Sequence, residues 1–168
     1  MQQVIVDGYN VIYADPDLRR EMAAEPERAR RALLDRIRSY LADRKLRVTV
    51  VFDGAGGLSG SEAVIPGLLQ AVFTAAGESA DTLIVRTLER AGSARGFIVV
   101  SSDVADIGRA ARALGARVLP SEAFLARIAG RADERRPGQC AREKPDPDEA
   151  DVAFWLERFE ERADPEGD

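Results

Sequence analysis

Histidine is absent from this 168-residue chain, so any chemistry it performs runs without imidazole. Cysteine is nearly absent. Cys140 stands alone, cannot close an internal disulfide, and suits a reducing cytoplasm, which is the expected location. One cysteine without histidine also argues against a structural zinc site, whose shell is built from those residues. No apolar stretch approaches the ~20 residues that span a bilayer. The N-terminus enters a strand-like run without a basic region followed by an apolar segment, so neither a signal peptide nor a membrane partner is expected. Lysine is scarce as well: Lys45 and Lys144 stand beside 22 arginines. No internal repeat is visible, and the only biased tract is an acidic C-terminal tail.

What is present reads as an ordinary globular chain, 45% apolar and 32% charged, of a length suited to one domain with a real core. The net charge of −5 conceals an asymmetry. Residues 143–168 carry eleven acids and three bases, so the tail is strongly acidic while residues 1–142 are mildly basic at +3. A body of that charge permits polyanion binding without requiring it. Arginine suits phosphate contacts, although a biased genome explains the skew equally well.

Three short apolar runs each lead into an aspartate: Val4-Ile5-Val6 into Asp7, Val48-Thr49-Val50-Val51-Phe52 into Asp53, and Phe97-Ile98-Val99-Val100-Ser101-Ser102 into Asp103. Short β-branched runs read as buried parallel strands, and ligands of open parallel sheets sit at the strand carboxyl ends. Carboxylates meeting there suit a hard cation, Mg²⁺ or Mn²⁺. Further strands are expected over Leu69–Thr74 and Arg117–Pro120. Helices are expected over Pro26–Arg44, where Ala29, Leu33, Ile37 and Leu41 recur every four residues, and over about 80–91, 104–114 and 121–129. Gly8-Tyr9-Asn10 reads as the start of a loop that runs to the helix-start signal Asp15-Pro16-Asp17. Alternating strands and helices predict an α/β fold, a three-layer α/β/α arrangement around a mostly parallel sheet. Residues 130–148 read as a linker, followed by an amphipathic helix over Pro147–Arg162 bearing Val152, Trp155, Leu156 and Phe159.

A fourth acidic group lies in Gly77-Glu78-Ser79-Ala80-Asp81, where Glu78 and Asp81, three apart, are expected on one helix face. Acids gathered in one crevice raise each other's pKa values, and a divalent ion relieves that penalty while activating a water. Acids after strands and at helix starts are also common as caps and turn formers, and Asp106 reads equally well as a helix-terminus acid. Arg28, Arg30, Arg31, Arg36 and Arg38 offer phosphate contacts or a solvated helix face. Tyr9 offers base stacking or packing against the sheet, and Trp155 reads as a packing anchor.

Val6-Asp7-Gly8-Tyr9-Asn10-Val11-Ile12 resembles the opening signature of YacP-like NYN domains, a branch of the PIN-like nuclease superfamily. Val51-Phe52-Asp53-Gly54, Gly77-Glu78-Ser79-Ala80-Asp81 and Ser101-Ser102-Asp103 follow in the family's order, and the resemblance covers about residues 3 to 128. It implies a PIN-like α/β/α fold over residues 1–129, with 130–168 as linker, amphipathic helix and acidic tail. It implies metal-dependent cleavage of RNA, with Asp7, Asp81 and Asp103 catalytic and metal-binding, Glu78 a further metal ligand, Asn10 ordering the site, and Tyr9 and Asp53 at its substrate edge. The first expected function is therefore an endoribonuclease of RNA turnover that prefers single strands and uses Mg²⁺ or Mn²⁺. A second reading is a PIN-like module that binds RNA, a ribosome or decay proteins without cutting, for which the tail leaves room. A third is a phosphoacceptor receiver domain with Asp53 as acceptor, which the absence of a lysine after Val118-Leu119 disfavours.

Overall fold

The computed structural model describes residues 2–42, 44–54, 60–103 and 105–134. Their strands are β1 (Gln2–Asp7), β2 (Leu46–Phe52), β3 (Gly60–Ile65), β4 (Leu69–Phe73), β5 (Phe97–Val100) and β6 (Arg117–Leu119). The helices are α1 (Gly8–Ala14), α2 (Pro16–Ala24), α3 (Pro26–Leu41), α4 (Ala80–Arg90), α5 (Ile107–Ala113) and α6 (Ser121–Glu134).

The strands form one sheet in the order β3-β4-β2-β1-β5-β6. Every neighbouring pair is parallel except β3 with β4. β1 lies at the centre, with Val6 opposite Val50 of β2 on one side and Val100 of β5 on the other. Because side chains alternate along a strand, β1 feeds two cores. Val4 and Val6, with Val48, Val50 and Phe52, pack against Val11, Ile12, Leu18, Leu33, Ile37 and Phe124 of α1, α2, α3 and α6. Ile5, with Val51 and Val99, packs against Ile84, Leu88, Ile107 and Ala111 of α4 and α5. This is the expected three-layer α/β/α arrangement, and each fully buried aliphatic contributes about 1.5–3 kcal/mol to it. Among the described residues no helix is long and apolar enough to cross a membrane.

The helices that follow β1 and β5 leave toward opposite faces of the sheet: α1 joins the first core and α5 the second. Between two such strands a crevice opens at their carboxyl ends. Asp7 and Asp103 border it.

Several elements differ from expectation. The stretch after Asp7 is helix α1, not loop: Asp7 caps it and Val11 and Ile12 are buried in it. Asp15-Pro16 does open a helix, with the Asp15 carboxylate accepting from the N–H of Asp17 and Leu18 at 2.9 Å. An unexpected strand, β3, forms the sheet edge. It pairs antiparallel with β4 through a turn in which Leu68 N–H donates to the Ile65 carbonyl and Gly67 takes φ 77°. Pro66-Gly67 supplies the fixed φ and the left-handed residue that such a turn needs. Helix α5 starts at Ile107 rather than 104. Helix α6 runs to Glu134, so the first residues assigned to a linker are helical. The expected helix over Pro147–Arg162, with Trp155 and the acidic tail, lies outside the described residues.

Candidate active site

Asp7 is the last residue of β1 and the N-cap of α1. Its Oδ1 accepts from the Asn10 N–H at 3.2 Å, and the residue is 8% exposed. Gly8 makes this sharp strand-to-helix passage possible: a Cβ there would stand 2.3 Å from the ring of the fully buried Phe52. Asp53 follows β2 and reaches the start of α4, where its Oδ1 accepts from the Ala80 N–H at 2.6 Å. Asp81 lies in the first turn of α4, which Ser79 caps. Asp103 follows β5, and its Oδ1 accepts from the N–H groups of Ala105 and Asp106 at 3.1 Å each. Three of the four aspartates therefore do act as backbone caps. A carboxylate has two oxygens and about four acceptor sites, so capping does not preclude a second role.

These carboxylates feel each other. Burial, the largest effect, pushes the Asp7 carboxyl up from 3.8 to about 6. The Asn10 N–H opposes this, and Asp81, Asp53 and Asp103 add to it by repulsion. Asp81 is also raised, first by burial and then by Asp103, Asp53 and Asp106. Asp7, Asp53, Asp81 and Asp103, from four separate parts of the chain, thus share one electrostatic environment at the carboxyl rim, and Asp106 borders it.

Glu78 is placed differently. It precedes the Ser79 cap, so it does not share a helix face with Asp81, and its carboxylate pairs with Arg86 at 2.7 Å. Tyr9 packs edge-on against Phe52 at 5.4 Å between centroids and accepts a hydrogen bond from Arg30 Nη1 at 3.1 Å. Of the other arginines on α3, Arg31 pairs with Glu27 and Arg36 with Asp15.

Asn10 is the junction of the site. Its Oδ1 accepts from the Ser102 N–H at 2.8 Å and from the Ser121 hydroxyl at 2.7 Å. Ser121, fully buried at the start of α6, donates its N–H to Ser102 Oγ at 3.0 Å, and Ser102 Oγ donates to Glu122 at 2.7 Å. The Asp103 N–H donates to Ser101 Oγ at 3.1 Å. One amide thus ties the Asp7 helix to the Asp103 loop and to α6. The sequence pointed to Asn10, whereas Ser121 and Glu122 fell only within the helix expected over 121–129. The signal was the position of Ser121 just past a strand, in the same relation to β6 that Ser102 has to β5.

The donor set is all hard oxygen, the chemistry of Mg²⁺ or Mn²⁺ sites. Among the described residues no cationic side chain pairs with Asp7, Asp81 or Asp103, so a divalent cation fits the charge balance. The acids stand apart: no three acidic side chains among the described residues form a closed ligand set.

A mostly parallel sheet whose connecting helices part on either side of β1 and β5, with four aspartates sharing one electrostatic environment at its carboxyl rim, defines an α/β protein of the nuclease-related, PIN-like class. The chain belongs to the YacP-like NYN domain family, whose model matches residues 4–157. It is similar to Rae1 (YacP) from Bacillus subtilis, with 28% identity and a TM-score of 0.66 over 97% of this chain and 95% of that chain. A tryptophan-to-leucine variant of the same protein gives 28% identity and a TM-score of 0.63 over 80% of each chain. No curated protein matches the chain. With the family shown, the receiver reading lapses, and Asp53 is instead engaged with the start of α4.

Proposed function

We propose that this protein is a metal-dependent endoribonuclease of RNA turnover, with Asp7, Asp81 and Asp103 holding Mg²⁺ or Mn²⁺ at the carboxyl rim. The ion, when bound, polarises the scissile phosphodiester and lowers the pKa of a water, which a histidine-free site needs. Asp7 supplies a buried carboxylate fixed by the Asn10 N–H. Asn10 keeps the Asp103 loop in register with α1, and Asp53 holds the start of α4 so that Asp81 faces the crevice. Glu78, bound to Arg86, stands outside this set. RNA is the substrate, and the acidic segment 143–168 with Trp155 supports a ribosome or decay complex as a further partner in the cytoplasm.

Asp7 carries this reading: a carboxylate buried at the end of the central strand, repelled by three others, is costly unless it is used. The test is incubation of the purified chain with a structured and an unstructured RNA in Mn²⁺, Mg²⁺ or chelator. Cleavage is expected with metal and absent with chelator, and Asp7→Asn and Asp103→Asn should be inactive yet folded. Undiminished, metal-independent cleavage by these variants refutes the assignment. The open spacing of the acids favours a second reading, an RNA- or ribosome-binding module that does not cut. Tight RNA binding without turnover in either metal would select it.

A further inference from the structure

Arg30 differs from Arg31, Arg36 and Arg86, which pair with carboxylates, in what holds it. It lies near the start of α3, and because α3 leads back into β2, that start faces the carboxyl rim. Phe52 and Phe73, partners in register, close β2 and β4 at the same rim. Their rings stack at 5.5 Å, Tyr9 sits edge-on to Phe52, and Arg30 donates to the Tyr9 hydroxyl while its guanidinium lies 5.9 Å from the Phe73 centroid. Phe52 is fully buried, so this platform is rigid.

Arg36 and Arg86 are half-buried like Arg30, and each sits on a carboxylate at 2.7 Å. Among the described residues no carboxylate pairs with Arg30; its partners are a phenol and a ring face. A partly desolvated cation held by neutral groups lacks its counter-charge. A guanidinium carries five N–H donors in a planar fork suited to phosphate, and Tyr9 takes one of them. Two residues before Tyr9 stands Asp7, in a crevice of four aspartates that repels any phosphate chain. A strand can approach such a crevice only if cations on its rim offset the repulsion.

We infer that Arg30 binds a phosphodiester of the RNA strand beside the acidic crevice, and that Tyr9 and Phe73 are positioning residues that hold its guanidinium there. This rests on the nuclease reading for the identity of the strand. It also assigns Tyr9 a role other than base stacking.

The test is fluorescence anisotropy of the full chain with a labelled, unstructured oligoribonucleotide in chelator, across a salt series. Arg30→Met, which keeps the aliphatic stem, should weaken binding about tenfold and flatten the salt slope by about 0.7, one single-strand phosphate contact. Arg30→Lys should keep the slope. Tyr9→Phe should weaken binding by a smaller factor without changing the slope. Arg31→Ala, exposed and paired with Glu27, should match the parent chain. Parental affinity and slope in Arg30→Met overturn the inference while leaving the nuclease reading intact. If Arg30→Met fails to fold, Arg30→Gln takes its place, and parental affinity and slope in that variant overturn the inference. A parent chain that neither binds nor cuts RNA removes both proposals.

Discussion

Asp7 and Asp15 are the same residue type in opposite circumstances. Burial works against ionisation in both, but Asp15 accepts from two backbone N–H groups and from Arg36, which together hold it below its ordinary value. Asp7 has the Asn10 N–H and three carboxylate neighbours, and it rises to about 6. In the unfolded chain Asp7 loses its proton near 3.8, while in the folded chain it keeps it to about 6. Between those values the folded state binds more protons, so stability falls as pH rises through that window. The cost above it is about 3 kcal/mol. Asp7→Asn should therefore raise the melting temperature at pH 8 by several degrees and leave it nearly unchanged at pH 4. Melting curves at the two pH values check this, and an equal shift at both would show that charge is not the cause. Asn10→Ala leaves the Ser102 N–H and the buried Ser121 hydroxyl without their shared acceptor. It should cost about 1–3 kcal/mol in urea unfolding. The candidate acids were legible as single residues because each follows an apolar run or opens a helix. The Asn10 bonds were not, because their partners lie 92 and 111 positions away. Nor was the Glu78–Arg86 pair, which depends on where the Ser79 cap begins the helix.

The elements divide along the same line. β1, β2 and β5 were readable from their Val and Ile runs because both faces are buried. α3 was readable from its four-residue stripe, four of whose members are buried. α1 was not: it has only seven residues, opens with glycine, and contains β-branched Val11 and Ile12, so its own propensity is poor and packing against the sheet forms it. β3 was missed because its residues are mostly exposed and offer no apolar alternation, although Pro66-Gly67 marked its turn. α6 was cut short at Gly130, which α6 includes rather than ends on. The α1 start also supplies a test. Gly8→Ala forces a methyl into the Phe52 ring, which is locked on all sides, and should destabilise by about 1–3 kcal/mol. Adding Phe52→Leu should recover part of that loss in equilibrium unfolding, and no recovery would mean that backbone conformation rather than the ring sets the requirement.

For the molecule as a whole, the repulsion among Asp7, Asp53, Asp81 and Asp103 is a standing cost that a bound cation removes, so occupancy and folding are linked. Millimolar Mn²⁺ or Mg²⁺ should raise the melting temperature of the parent chain, and Asp7→Asn and Asp103→Asn should show little of that rise. A rise of the same size in the variants would place any ion elsewhere. The fold class was readable at this scale because strand and helix signals alternate, whereas the crevice depends on which face each connecting helix takes. The margins of the sheet carry a last consequence. One border is β6, three residues long; the other is β3, which has a bulge between Ala63 and Ile65 and an exposed Glu62. A stranger chain seeking to extend the ladder meets a stub on one side and an irregular, charged hem on the other, so this largely parallel architecture discourages amyloid-like stacking at its own borders.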